Sequence, residues 1–211
     1  MNVLVIGANG QVGTHVVDKL KEAGHEPIAM VRNREQVSRF KDKGVKTVLG
    51  DLENEFEQAY HGAEAVVFAA GSGPNTGADK TILIDQEGAI KAMEHAQQYG
   101  VKRFVMLSSI AANTPEKGPD DLKHYLYAKG RADDYLRNQT NLDYTIVRPG
   151  GLTNEPGINE VEISENGVEF GNIPREDVAS VMVQLLRNNS AVRKSYDLIS
   201  GNTPISELVK S

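Results

Sequence analysis

With 211 residues, 39% of them hydrophobic and 25% charged, the chain can bury one sizeable core and is short for two, so one domain over 1–211 is expected. A formal net charge of -6 counts against a phosphate backbone as partner, because nonspecific nucleic-acid affinity rests on clustered Lys and Arg. The lack of cysteine excludes disulfides, thiol redox chemistry and thiolate metal sites. The opening MNVLVIGANG is too short in apolar length to span a membrane and lacks a basic start and cleavage site, so a cytoplasmic protein with no membrane partner is expected.

Short apolar runs alternate with amphipathic stretches from the start: VLVIG (3–7), a helix near 12–23, PIAMVR (27–32), a weak helix near 34–42 and KTVLGD (46–51). The rhythm continues through a short helix near 54–60, AVVFAAG (65–71), a long helix near 81–99, RFVMLSS (103–109), a helix near 121–138 and YTIVRPG (144–150). Strands apolar on both faces belong to a parallel sheet covered by helices on both sides, a doubly wound α/β fold. After Gly151 the pattern shifts: VEISENGVEF alternates about an Asn166-Gly167 turn and predicts a hairpin. A helix over 175–188, a short strand at SYDLI and a last short helix follow. Residues 151–172 and 190–211 are expected to form a small substrate-side cap, which favours a small or open site.

The first run ends in GANGQVG, which places Gly7, Gly10 and Gly13 between a predicted strand and a predicted helix. Glycine there permits the sharp turn, the approach of a pyrophosphate to the backbone and close helix-to-strand packing, while the helix amides face the phosphates. The second strand ends in MVRNR, with Arg32 and Arg34 and no acid before Glu35. A cation there accommodates a 2'-phosphate, whereas an acid would accept from ribose hydroxyls, so NADP is expected rather than NAD. Arg32 directly follows the strand; Arg34 reads equally as a solvated residue at a helix start. Asp51 in GDL is placed either to bond adenine, with Leu52 over the ring, or to cap the next helix.

The glycine fingerprint, GDL, FAAG, LSS, YLYAK and RPG, in that order, resemble the short-chain dehydrogenase/reductase superfamily. The likeness is to its atypical NAD(P)H-binding members, related to epimerase/dehydratase enzymes, biliverdin/flavin reductase and NmrA-like regulators. The resemblance covers 1–151 and IPREDVA (173–179), and it implies a Rossmann-type fold. It also implies a cofactor site of Gly7, Asn9, Gly10, Gln11, Val12 and Gly13 at the phosphates, Arg32 at the adenine ribose and Asp51 and Leu52 at adenine. Ala69, Ala70 and Gly71 would lie along the ribose side, with Pro149 and Gly150 near the nicotinamide. The superfamily's Ser, Tyr and Lys fall on Ser109, Tyr125 and Lys129, with the adjacent Ser108 competing for the first role.

Tyr125 and Lys129 stand four apart and share a helix face, while Tyr127 points away. A nearby ammonium pulls a phenol down from its ordinary value near 10, so Tyr125 is the expected general acid or base. By the resemblance, Lys129 also holds the nicotinamide ribose, and the serine bonds the reacting oxygen. The chemistry implied is hydride transfer to or from a small carbonyl or hydroxyl substrate. Two alternatives stay open: a nucleotide sensor that binds NAD(P) and a protein partner without turnover, and a flavin or quinone reductase in which the tyrosine matters little. The loops 71–80 and 110–122 follow adjacent strands on the carboxyl side of the sheet, and each reads either as a lid or as a plain connection. Asp85 and Glu87 read as acids complementing the dipole near the start of the long helix. His15, His25, His61, His95 and His124 lack metal-ligand spacing, so no metal is expected, and no Gly-x-Ser-x-Gly elbow marks a hydrolase.

Overall fold

The computed structural model describes residues 1–73 and 76–208. Six strands lie in parallel: β1 Asn2–Ile6, β2 Glu26–Val31, β3 Lys46–Leu49, β4 Ala65–Phe68, β5 Arg103–Leu107 and β6 Asp143–Pro149. Beyond them come the short pair β7 Gly151–Thr153 and β9 Asn172–Pro174, then β8 Glu160–Ser164, β10 Lys194–Ser200 and β11 Thr203–Pro204. The main sheet runs β11-β8-β10-β6-β5-β4-β1-β2-β3, with only β8 antiparallel to its neighbours, while β7 and β9 pair separately. This is the expected doubly wound arrangement, with its switch point between β1 and β4. No helix among the described residues is long and apolar enough to cross a membrane.

Alternation along the strands sorts the core into two layers. Val3 and Val5 of β1, with Val105 and Leu107 of β5, pack beneath α1 Gln11–Glu22 and α6 Arg175–Leu186 through Val16, Val17, Leu20, Val178 and Met182. Leu4, Ile6, Phe104 and Met106 face the other way, against α4 Ala89–Gln98 and α5 Lys123–Asn138 through Ala92, Met93, Ala132 and Leu136. At the amino end of the sheet Arg103 fastens the layers. Its guanidinium donates to the Leu185 and Leu186 carbonyls at 2.6 and 3.0 Å, where α6 ends, and to the Asp143 carbonyl and Thr145 hydroxyl at 2.6 and 2.8 Å.

Four expectations need correction. The hairpin about Asn166-Gly167 does not form, although Gly167 takes a left-handed φ of 96°. Strand β8 pairs instead with β10, and at Glu160 and Val161 with β11; 168–170 forms no strand and Phe170 is left 79% exposed. The helix expected over 54–60 shrinks to a 3-10 turn, Glu57–Tyr60. The helix expected from 121 begins at Lys123, after a 3-10 turn over Asp120–Leu122. The long helix expected over 81–99 starts earlier, as α3 Ala78–Lys80, and passes through a π-helical segment Thr81–Gly88 before α4. Positions 74 and 75 of the 71–80 loop and 209–211 of the C-terminal portion lie outside the described residues.

Candidate functional site

The glycine turn is shaped by contacts that exclude side chains. Gly7 has φ 85°, and a Cβ there would sit 2.5 Å from the Ala70 amide nitrogen; one on Gly13 would sit 2.0 Å from the Gly7 carbonyl oxygen. The Gly10 amide donates to the Gly7 carbonyl at 2.9 Å and closes the turn. Helix α1 then opens with no side-chain cap and no acid in its first turn. Its first amides have no partner within the helix, and with the positive end of the dipole they form a ready seat for an anion. The cradle has the shape and charge to suit a pyrophosphate, which the backbone of Gly7, Asn9, Gly10, Gln11, Val12 and Gly13 would hold.

Arg32 and Arg34 are exposed just beyond β2, and the Arg32 amide is tied to Gln36 Oε1 at 2.9 Å. A third cation escaped the sequence reading: Arg39, from the short helix α2 Val37–Lys41, reaches across to Asn9 Oδ1 at 3.2 Å. Position 39 lies five beyond Arg34, off its i+3 and i+4 face, so no local spacing marked it. Asp51 accepts from the Glu53 amide and from Asn54 Nδ2, both at 3.1 Å, so its carboxyl closes its own turn and caps no helix. Leu52 packs on Gly88, where a Cβ would come within 3.0 Å of its own.

One loop joins this cradle to the tyrosine and lysine. Ala69 donates to the Ile6 carbonyl at 2.8 Å, Ala70 abuts Gly7, and the Ala70 carbonyl lies 3.5 Å from Lys129 Nζ. On α5, Lys129 is buried with its ammonium 5.8 Å from the Tyr125 ring centre, while Tyr127 is exposed. Lys129 Nζ also lies 3.2 Å from the Leu107 carbonyl and 3.2 Å from Asp85 Oδ1. Asp85 is therefore no dipole acid at a helix start: the π segment turns it inward, fully buried, and its other oxygen accepts from the Ser72 amide at 3.0 Å. Glu87, by contrast, is exposed on the same segment.

The two serines separate. Ser108 is buried and donates to Asp133 Oδ2 at 2.9 Å; the same oxygen accepts from Arg148 Nε at 3.0 Å. Ser109 is partly exposed, pinned between the Ser108 amide on the Val147 carbonyl at 2.8 Å and the Ile110 amide on the Pro149 carbonyl at 3.0 Å. Beyond it Ala111 takes a left-handed φ of 64°. The 110–122 loop is strapped down there: a Cβ on Gly130 of α5 would meet the Ala112 carbonyl at 2.2 Å. Pro149 is buried and Gly150 lies against the Gly171 carbonyl.

Electrostatics differ from the simple expectation for Tyr125. Burial pushes its phenol above the ordinary value; Lys129 pulls it down, but Asp85 and Asp133 push it up again. Burial alone would lower Lys129, yet Tyr125, Asp85 and Asp133 together hold it above its ordinary value. Burial raises Asp133, against the pull of Arg148 and Ser108. Sequence reading missed Asp133 and Arg148 and gave Asp85 a dipole role instead of this one. Asp133 sits one helical step beyond Lys129 on the same face, a signal that was present; Asp85 had none.

Comparison with known proteins agrees with this geometry. Residues 7–189 match the model of a family described as NAD(P)H-binding. The Bacillus subtilis protein YhfK, named an uncharacterized sugar epimerase, is 42% identical over 100% of this chain and 99% of its own. A solved Bacillus halodurans structure, named for an NAD-dependent epimerase/dehydratase, superposes with TM-score 0.96 at 47% identity, covering 100% of this chain and 99% of that one. The oxidoreductase ylbE of Lactococcus lactis superposes with TM-score 0.90 at 33% identity, covering 100% and 95%. The chain belongs to the NAD(P)H-binding family.

Proposed function

We propose that this chain is an NADP-dependent oxidoreductase of the atypical short-chain type that reduces a small carbonyl compound, with Tyr125 as the proton donor. The observation that carries the proposal is the Ala69–Gly71 loop: it packs on Gly7 at the phosphate turn and lies against Lys129 beside Tyr125, so binding and proton transfer share one piece of backbone. When bound, the nicotinamide supplies a hydride. The chain's residues do the rest. The glycine turn and α1 amides hold the pyrophosphate, and Arg32, with Arg39 braced on Asn9, offers guanidinium donors for a 2'-phosphate. Ser109 supplies a hydroxyl for the carbonyl oxygen and Tyr125 gives that oxygen its proton. The names carried by relatives, sugar epimerase, epimerase/dehydratase and oxidoreductase, fit hydride chemistry at a carbon bearing oxygen.

Tyr125→Phe tests the reading. Carbonyl reduction should fall about 10²–10⁴-fold while the dissociation constant for NADPH stays the same. Equal turnover in the variant would remove the proton-transfer role. If the unaltered chain binds NADPH tightly yet oxidises none of it with carbonyls, quinones or flavins, it is a sensor.

A further inference from the structure

Lys129 Nζ donates to the Leu107 carbonyl at 3.2 Å and the Ala70 carbonyl at 3.5 Å, and is paired by charge, without a hydrogen bond, with Asp85 Oδ1 at 3.2 Å. The ammonium is thus surrounded by oxygen atoms of the chain itself. Its charged partner is delivered by the π-helical segment, an irregularity frequent at functional sites. Both side chains of the pair are out of solvent, at 3% and 0% exposure, where a charge is weakly screened and its counter-ion matters most.

We propose that Asp85 is a positioning residue for Tyr125: as the buried counter-ion of Lys129 it cancels the ammonium's field at the phenol ring, so that the lysine does not draw the phenol toward ionisation. This rests on the oxidoreductase reading above. The charged groups around the phenol are Lys129 and Asp133 from α5 and Asp85 from the π segment, with Arg148 of β6 paired to Asp133. Lys129 and Arg148 each meet one carboxylate, so neither cation acts alone on Tyr125. With that field cancelled, burial sets the direction of the phenol, in agreement with its raised ionisation. A neutral phenol is the form needed to donate. As hydride forms the new C–H bond at the carbonyl carbon, the π pair of the carbonyl takes the phenolic proton as an O–H bond. The carbonyl is reduced, the dinucleotide oxidised, and solvent returns a proton to the phenolate.

The test needs no cofactor. The chain is made with 3-fluorotyrosine, which ionises at lower pH than tyrosine, and the Tyr125 resonance, assigned by its loss in Tyr125→Phe, is titrated by fluorine-19 NMR. In Asp85→Asn the freed ammonium should bring the Tyr125 titration down by on the order of one pH unit. In the charge-free pair Asp85→Asn/Lys129→Gln it should return to within about half a unit of the unaltered chain. A folded Asp85→Asn with no downward shift overturns the proposal. So does a charge-free pair titrating about one unit or more above the unaltered chain, since Lys129 would then have acted uncancelled. If Asp85→Asn does not fold, the comparison of the charge-free pair with the unaltered chain decides. A chain that shows this pattern yet reduces no carbonyl keeps the counter-ion and loses the oxidoreductase reading. A carbonyl reductase without the pattern keeps the reading and loses the counter-ion.

Discussion

The phosphate cradle and the tyrosine pocket sit at the same end of one sheet but are built in opposite ways. The cradle is backbone: three glycines, uncapped helix amides and exposed arginines at its margin. The pocket is side chains: two buried ion pairs, Asp85 with Lys129 and Asp133 with Arg148, tie the π segment, α5 and β6 together behind Tyr125. A site made of backbone tolerates change in nearly every side chain except where a Cβ intrudes. A site made of buried charges depends on every partner, because removal of one strands the other in a medium that cannot solvate it.

That contrast can be broken in order of force. Asp133→Ala leaves Arg148 buried without its carboxylate and should cost about 3–5 kcal/mol in urea unfolding; a loss within the range of a surface substitution would mean the pocket does not depend on the pair. Gly13→Ala forces a methyl to within 2.0 Å of the Gly7 carbonyl oxygen. It should cost about 1–3 kcal/mol and abolish NADPH binding by calorimetry, and retained binding would show that the cradle can deform. Arg39→Ala and Arg32→Ala should each weaken NADPH by about 1.5–3 kcal/mol, the worth of a hydrogen bond to a charged group, and leave NADH nearly unaffected. A parallel loss for both dinucleotides would refute the 2'-phosphate assignment.

The smallest effect lies outside both regions, where α1 meets α6 and Glu176 accepts from Lys19 at 3.1 Å and from the Gly157 amide at 3.2 Å. The bond from Lys19, then that from Gly157, outweighs burial and holds the Glu176 carboxyl below its ordinary value. Its stabilisation is therefore present above the ordinary carboxyl range and disappears as pH falls through the lowered folded value. Because the carboxyl is 36% exposed, solvent screens the pair and its worth is below about 1 kcal/mol. The melting difference between the unaltered chain and Glu176→Gln should be measurable near pH 7 and shrink as the solution is acidified through and below the ordinary carboxyl range. A difference that persists in acid would place the effect in packing rather than charge.

What was legible followed the same division. The alternating strand and helix runs, the glycine turn and the arginines after β2 are local signals, written in consecutive residues, and the fold could be read from them. The Tyr125 to Lys129 spacing was likewise local. Asp85 was read as a dipole acid because nothing nearby in sequence announces a π segment that turns it inward. Asp133 and Arg148 meet across a helix and a strand 15 positions apart, a pairing set by packing. The failed hairpin also turns on distant sequence: the turn signal at Asn166-Gly167 was real, but β8 pairs with β10, more than 30 residues downstream, rather than with 168–170.

Arg103 has a bearing on how such a molecule can change. Its guanidinium rivets the floor of the sheet, far from the rim where chemistry is proposed, by holding the last carbonyls of α6 to the feet of two central strands. With the foundation locked there, segments on the opposite rim can be lengthened, shortened or exchanged without loosening the helix layers on the two faces of the sheet. One scaffold can thus be refitted for different compounds by remodelling its upper surface alone.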